Sequence, residues 1–311
     1  MKTPISPVTK THNTSLSETF LTNDIIGLYR QQLGIDVTSF FDGRPAFYLY
    51  RCNDTGYRFY YPENLLGNGQ FYETLQNKLG NEYYHDWKFE NQLAYDHLSK
   101  GDKVLDIGCG TGNFLLKAKN KTASVYGLEL NETAVWACNR RGLHVYNQLI
   151  SDHAEYNEET YDMVCAFQVL EHVYDVKDFL DDALKVLKKG GKMVIGVPNS
   201  KPYFLGYDKY CTLNLPPHHM GLWNERVFKK LCSLLNLTVL KIEYDVKGRI
   251  LAEAYVRAKY LSGVKSLPGH HTAMEKLKIG ALAAFTVPAT FFKKITRGLE
   301  GSHMAVLIQK N

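Results

Sequence analysis

No uninterrupted apolar run in this chain approaches the roughly 20 residues that carry a helix across a bilayer, which argues against a membrane-spanning protein. The stretch Met1 to Lys10 has no apolar centre, so no secretory signal is expected. Cysteine is sparse and unpaired in spacing: Cys52, Cys109, Cys138, Cys165, Cys211 and Cys232 include no Cys-x-x-Cys. That pattern points to a reducing cytoplasm, with neither a disulfide framework nor a zinc site. The net charge of +5 is mild and no basic run concentrates it, so no nucleic-acid partner is expected. There is no Gly-Lys-Ser/Thr ending to any glycine-rich turn, which excludes a phosphate-cradling P-loop. What remains, at 45% hydrophobic and 22% charged residues, is an ordinary globular composition.

The chemistry concentrates between Lys103 and Phe114. An apolar run, Val104-Leu105-Asp106-Ile107, enters three alternate glycines, Gly108, Gly110 and Gly112, and a helical pattern follows. A strand, tight turn and helix start of this kind form the crevice where open α/β sheets bind nucleotides. A dinucleotide fingerprint would read G-x-G-x-x-G; here the third glycine falls one residue early, with Asn113 in the dinucleotide position. Asp106 would repel a pyrophosphate but suits an ammonium group. Glu129 closes the next apolar run, about twenty residues on, where an acid accepts hydrogen bonds from ribose hydroxyls. A nucleoside with an amino-acid tail and no phosphate satisfies both acids, and S-adenosylmethionine is such a molecule.

At these residues the chain resembles the class I S-adenosylmethionine-dependent methyltransferases, whose first motif is hydrophobic-Asp-x-Gly-x-Gly-x-Gly. Three later stretches extend the likeness: Phe167-Gln168-Val169-Leu170-Glu171-His172-Val173, Leu187-Lys188-Lys189-Gly190-Gly191 and Val197-Pro198-Asn199. They are similar to the fourth- and fifth-strand motifs of methyltransferases related to the quinone-biosynthesis O-methyltransferases. The resemblance covers residues 80–245 and the final strand. It implies an α/β, doubly wound, seven-stranded Rossmann-like sheet, closed by Leu237 to Val246 and an antiparallel last strand at Met304 to Lys310. It also implies a donor pocket formed by Asp106, Gly108, Cys109, Gly110, Gly112, Glu129, Leu130, Phe167, Gln168 and Val169. Tyr84, with Tyr83 and Trp87, would close over the methionine end, where aromatic faces stabilise a sulfonium.

Ahead of that domain, residues 1–75 read as an appendage. A loose tail leads to a helical pattern from Glu18 to Leu33, and an aromatic hairpin spans Ala46 to Tyr61 around Asn53-Asp54-Thr55-Gly56. Some methyltransferases carry a zinc-binding hairpin here. Cys52 has no partner at the needed spacing, Thr55 standing where a second cysteine would, and one cysteine cannot make a four-ligand site; no metal is expected. The hairpin either walls a substrate pocket or only packs.

On the acceptor side, Leu215-Pro216-Pro217-His218-His219 follows the fifth strand. Prolines stiffen the backbone before the pair, and similar methyltransferases place a Pro-His-His loop beside the acceptor. His218 or His219 is therefore the expected general base for a hydroxyl nucleophile, with Tyr207, Asp208, Glu171 and His172 as weaker candidates. An insertion at about 248–300 contains an apolar stretch, 279–292, flanked by lysines. It could lie on a membrane surface, cover a pocket or form a dimer contact. The expected reaction is O-methylation of a small-molecule, saccharide or lipid-linked hydroxyl. N-methylation of an amine, or cofactor binding without catalysis, are the alternatives.

Overall fold

The computed structural model describes residues 3–80, 87–200, 212–245 and 301–311. Tyr83, Tyr84, Tyr207, Asp208 and the 248–300 insertion, with its 279–292 stretch, lie outside the described residues.

The larger sheet has seven strands. Its parallel part comprises β4 (Lys103–Ile107), β5 (Ser124–Leu128), β6 (His144–Tyr146), β7 (Tyr161–Phe167) and β8 (Leu187–Pro198). Strand β11 (His303–Lys310) runs antiparallel between β8 and β10 (Leu237–Tyr244), so that β10 again points the same way as the parallel strands. The order β10-β11-β8-β7-β4-β5-β6 reverses direction between β4 and β7. Ligands of open α/β sheets bind outside the strand carboxyl ends at such a switch point. Strands buried on both faces read as continuous apolar runs, and Met193-Val194-Ile195 and Ala305-Val306-Leu307-Ile308 do so.

Helices cover both faces. Leu93 and Ala94 of α3 (Phe89–Asp96), Phe114 and Leu115 of α4 (Asn113–Ala118) and Cys138 of α5 (Glu132–Arg140) pack with Val104, Val125 and Val194. On the other face, Leu180 and Ala183 of α7 (Val176–Val186) and Phe228 and Leu231 of α8 (Glu225–Leu234) meet Leu105, Val164 and Val306. A short helix, α6 (Ile150–Ala154), precedes β7.

The amino-terminal part forms a second, antiparallel sheet in the order β1-β2-β3-β9. Here the helical pattern from Glu18 needs correction. Thr14–Leu21 is a strand, β1, paired along its length with β2 (Ala46–Cys52), and helix α1 begins only at Thr22 and ends at Leu33. Cross-strand pairing overrode a local pattern that α1 continues. Strand β3 (Arg58–Tyr61) completes the expected hairpin. The fourth strand, β9 (Gly221–Leu222), comes from the chain immediately after the His pair. The appendage therefore grips the acceptor-side loop by a sheet edge, and with α1 and α2 (Gly69–Leu79) it has its own core around Tyr29, Phe47, Tyr60 and Phe71. Cys52 is buried beneath this sheet with its Sγ 3.6 Å from Thr9 Oγ1.

Candidate active site

The turn between β4 and α4 needs glycine for two reasons. Gly108, Gly110 and Gly112 have φ of 71°, 52° and 74°, in the left-handed region. There is also no room for a side chain: a Cβ on Gly108 would lie 2.6 Å from Val169 Cγ2, and one on Gly112 would lie 2.5 Å from Leu143 Cδ1. The turn is braced from β5, since the Gly108 and Cys109 N–H groups donate to the Leu128 carbonyl at 2.8 and 3.0 Å. Arg141 Nη1 donates to the Thr111 carbonyl at 2.7 Å from behind.

Glu129 stands where the sequence placed it and also holds the turn. Its Oε2 accepts from Gly110 N–H at 2.9 Å, and its Oε1 accepts from the Leu130 and Asn131 N–H groups at 2.8 and 2.9 Å. A carboxylate offers about four acceptor positions, so capacity for a hydroxyl remains. Leu130 beside it exposes 61% of its surface, an apolar face open at the rim. Cys109 is buried against Gly127 and shares a hydrogen bond with the Cys138 thiol, which raises the Cys109 pKa and lowers that of Cys138.

Asp106 is 2% exposed, and among the described residues its Oδ1 has no hydrogen-bond partner. Burial, reinforced by Glu129, pushes its pKa well above the ordinary 3.8. A buried carboxyl with an unmet oxygen beside a glycine turn is what an arriving ammonium would complete, so these residues fit the donor inferred from sequence.

The carboxyl end of β7 forms the next wall. Phe167 packs edge-on against Phe114, ring centroids 5.1 Å apart. Gln168 follows with φ of 56°, a left-handed backbone that a non-glycine residue holds only when its surroundings dictate it. Its N–H donates to the Gly196 carbonyl at 2.8 Å and its Nε2 to Glu90 Oε1 at 3.2 Å. Val169 presses on Gly108 as described. Trp87 stacks on Phe114 beneath the Lys117 ammonium, which lies 3.7 Å from the ring centroid.

Glu90 is a site residue that the sequence reading did not single out. It is fully buried, and among the described residues its Oε2 has no partner. The signal was present: Glu90 shares the i, i+3, i+4 face of Leu93 and Ala94, an acid on an apolar stripe.

Beyond Gln168, at the expected acceptor side, a second group of side chains is assembled from three distant segments. The Glu171 carbonyl accepts from the Met220 and Gly221 N–H groups at 2.8 and 3.2 Å, drawing the His loop onto the end of β7. His172 Nδ1 lies 2.6 Å from the His218 carbonyl. A carbonyl can only accept, so the proton sits on Nδ1 and the lone pair on Nε2. His218 repeats the arrangement, its Nδ1 donating to the Leu213 carbonyl at 2.8 Å. Tyr72 of α2 donates its hydroxyl to the His218 carbonyl and lies 3.2 Å from His172 Nδ1. The appendage supplies the outer support: Tyr29 donates to the Thr212 and Leu215 carbonyls at 2.7 and 2.9 Å.

The result is a packed group of imidazoles. His218 and His219 stack with centroids 4.2 Å apart, and His172 sits edge-on to both at 4.9 Å. Burial holds all of them neutral, and the neighbouring imidazoles add to it at His218 and His219: His172 is lowered to about 4, His218 to about 3, and His219 well below its ordinary value. Glu171 lies against them, its Oε1 4.0 Å from His172 Nε2, and burial raises its pKa to about 8. Both expected bases therefore fall in one cluster, with Glu171 and His172 as full members.

Among the described residues no helix is long and apolar enough to cross a membrane. The sequence profile of the family described as "Methyltransferase domain" matches residues 82–242, more than half of the chain. The ubiquinone biosynthesis O-methyltransferase of Aliivibrio fischeri is 32% identical over 105 residues, covering 32% of this chain and 45% of the relative. The enzyme of the same name from Idiomarina loihiensis is 28% identical over 184 residues, covering 53% of this chain and 75% of the relative. The chain thus spans less than half the length of the first of these curated relatives. Among solved structures, a chain from the Haloferax volcanii complex of a methyltransferase with its activator superposes with a TM-score of 0.50. It is 13% identical, and the match covers 75% of this chain and 92% of that one. That likeness concerns the fold alone.

Proposed function

Since this chain belongs to the methyltransferase-domain family, with S-adenosylmethionine as methyl donor, we propose that its acceptor is a hydroxyl. The acceptor class is a small molecule, a saccharide or a lipid-linked alcohol or phenol. When bound, the donor supplies an electrophilic methyl on a sulfonium, and the protein contributes alignment, water exclusion and proton handling. Asp106 would pair with the ammonium and Glu129 with the ribose. Gln168 and Val169 form the wall between the two halves of the site.

The observation that carries the reading is the placement of His172, His218 and His219 with Glu171 directly past Gln168. A hydroxyl must lose its proton as the new bond forms, and a group within hydrogen-bond reach has to take it. This cluster is the acceptor-side proton acceptor, with His218 or His219 in first contact. An amine attacks through its free lone pair and needs no such group. The names of the Aliivibrio and Idiomarina relatives support a hydroxyl acceptor in the same sense.

The test is a panel of hydroxyl and amine acceptors presented with labelled S-adenosylmethionine to the chain and to its His218→Ala and His219→Ala variants. Transfer to a hydroxyl that collapses in the variants, while S-adenosylhomocysteine still binds, is the expected result. Full transfer by both variants to an amine would move the assignment to N-methylation. No turnover of any acceptor, with intact cofactor binding, would favour a cofactor-binding protein without catalysis.

A further inference from the structure

Three imidazoles packed together inside a protein are a poor arrangement for ordinary core packing. Each ring brings a polar nitrogen that must be satisfied. Among the described residues, His219 Nδ1 and Glu171 Oε2 are both buried without a hydrogen-bond partner. Two unmet polar atoms beside one histidine group can be satisfied together by a positively charged centre that takes lone pairs. The available nitrogens of His172, His218 and His219 all lie within 4.8 Å of one another. We propose that these three side chains form a binding site for a divalent transition-metal ion of the zinc or cobalt type, with a coordination position left for an oxygen ligand.

The surroundings match what such sites require. Metal-bound histidines fix their tautomer by donating the other ring N–H to a carbonyl or carboxylate. His172 does so to the His218 carbonyl and His218 to the Leu213 carbonyl, which directs Nε2 of each as the ligand atom. Tyr72 also donates its hydroxyl to the His218 carbonyl. The donor set selects the ion class, since imidazole suits zinc, copper, iron and nickel whereas magnesium and calcium demand oxygen. Three protein nitrogens with a fourth position open is the composition of catalytic zinc sites. With Zn–N bonds of about 2.0–2.1 Å, a tetrahedral site needs nitrogens about 3.3 Å apart, so the rings must rotate inward by roughly 1.5 Å. His218 and His219, stacked with centroids 4.2 Å apart, must also open from that stack for their in-plane lone pairs to converge. Glu171, with Oε1 4.0 Å from His172 Nε2, stands where a carboxylate could orient the ion's remaining ligand.

The site also departs from the sequence expectation of no metal. That expectation rested on the cysteine spacing and on Cys52 in the amino-terminal hairpin, whereas these ligands are histidines at positions 172, 218 and 219.

The chain, stripped with a chelator, is titrated with Co2+ and followed by visible absorption, with S-adenosylhomocysteine binding measured in parallel as the check on folding. One equivalent should bind, giving the d–d bands of a four- or five-coordinate nitrogen site without a sulfur-to-cobalt charge-transfer band. Zn2+ should displace it and Mg2+ should not. His219→Ala and the milder His218→Gln should each weaken Co2+ at least 100-fold while S-adenosylhomocysteine still binds. Absence of saturable Co2+ or Zn2+ binding by chain that binds S-adenosylhomocysteine would overturn the site, as would binding that both variants retain. A lone pair that ligates the ion cannot also take the acceptor's proton, so the metal-bound cluster and the histidine base are different states of these side chains. Because the readout is metal and not turnover, the metal site can stand if the hydroxyl acceptor fails, and the histidine-base reading can stand if the metal fails.

Discussion

The two halves of this site are put together differently. Between Lys103 and Glu129 a strand, a turn, a helix and a second strand lay down most of the proposed donor pocket in one continuous segment, with Phe167 to Val169 added from the end of β7. The facing half draws Tyr72 from α2, Glu171 and His172 from the end of β7, and His218 and His219 from a loop that pairs with an amino-terminal sheet. The first depends on backbone conformations that the local sequence dictates. The second depends on distant segments being held in register. Damage to the amino-terminal sheet should therefore reach catalysis without touching donor affinity, and damage to the glycine turn should do the reverse.

The largest separation is expected from His219→Ala. General-base assistance contributes on the order of 10²–10⁴ in rate, so turnover of a hydroxyl acceptor should fall by that range while calorimetry with S-adenosylhomocysteine shows unchanged affinity. An equal fall in both would join the two halves.

Gly108→Val attacks the other side. A side chain there meets Val169 at 2.6 Å from a φ of +71°. Left-handed strain and overpacking together cost roughly 3 kcal/mol, so donor affinity should fall about a hundredfold. The Co2+ spectrum of the histidine cluster should survive.

Tyr29→Phe tests whether the appendage serves the loop. Its one hydroxyl proton is shared between two loop carbonyls, and losing such a hydrogen bond costs about 1 kcal/mol. Turnover should fall about tenfold with donor affinity intact. Unchanged turnover would reduce the appendage to packing.

The smallest effect is in pH. Burial holds the Asp106 carboxyl protonated above its ordinary 3.8, while an ammonium partner favours the carboxylate. Below that raised value donor binding must then release a proton, and affinity should rise with pH until the raised value is passed and level off beyond it. Calorimetry in buffers of different ionisation heat reads that proton directly, and Asp106→Asn should remove the slope.

How much of this could be read beforehand follows from the same division. Asp106, the alternate glycines and Glu129 are legible because a turn with positive φ and no room for a side chain admits glycine and little else. The antiparallel β11 was legible from its apolar run. Strand β1 was not. Thr14 to Leu21 carries a helix-like tail that continues into α1, and only pairing with β2 makes it a strand. His218 and His219 announced themselves by the prolines before them, but nothing in a linear chain brings Tyr72 or His172 to their side. Glu90 left a trace, an acid on an apolar helical stripe, whose meaning appears only with Gln168 opposite.

The most direct test is a structure of the chain with S-adenosylhomocysteine bound. The sulfur should lie against Gln168 and Val169 and face the cluster of His172, His218 and His219. A bound cofactor whose sulfur faces away from those histidines, walled off by Glu171 or the Pro-Pro loop, would contradict the account.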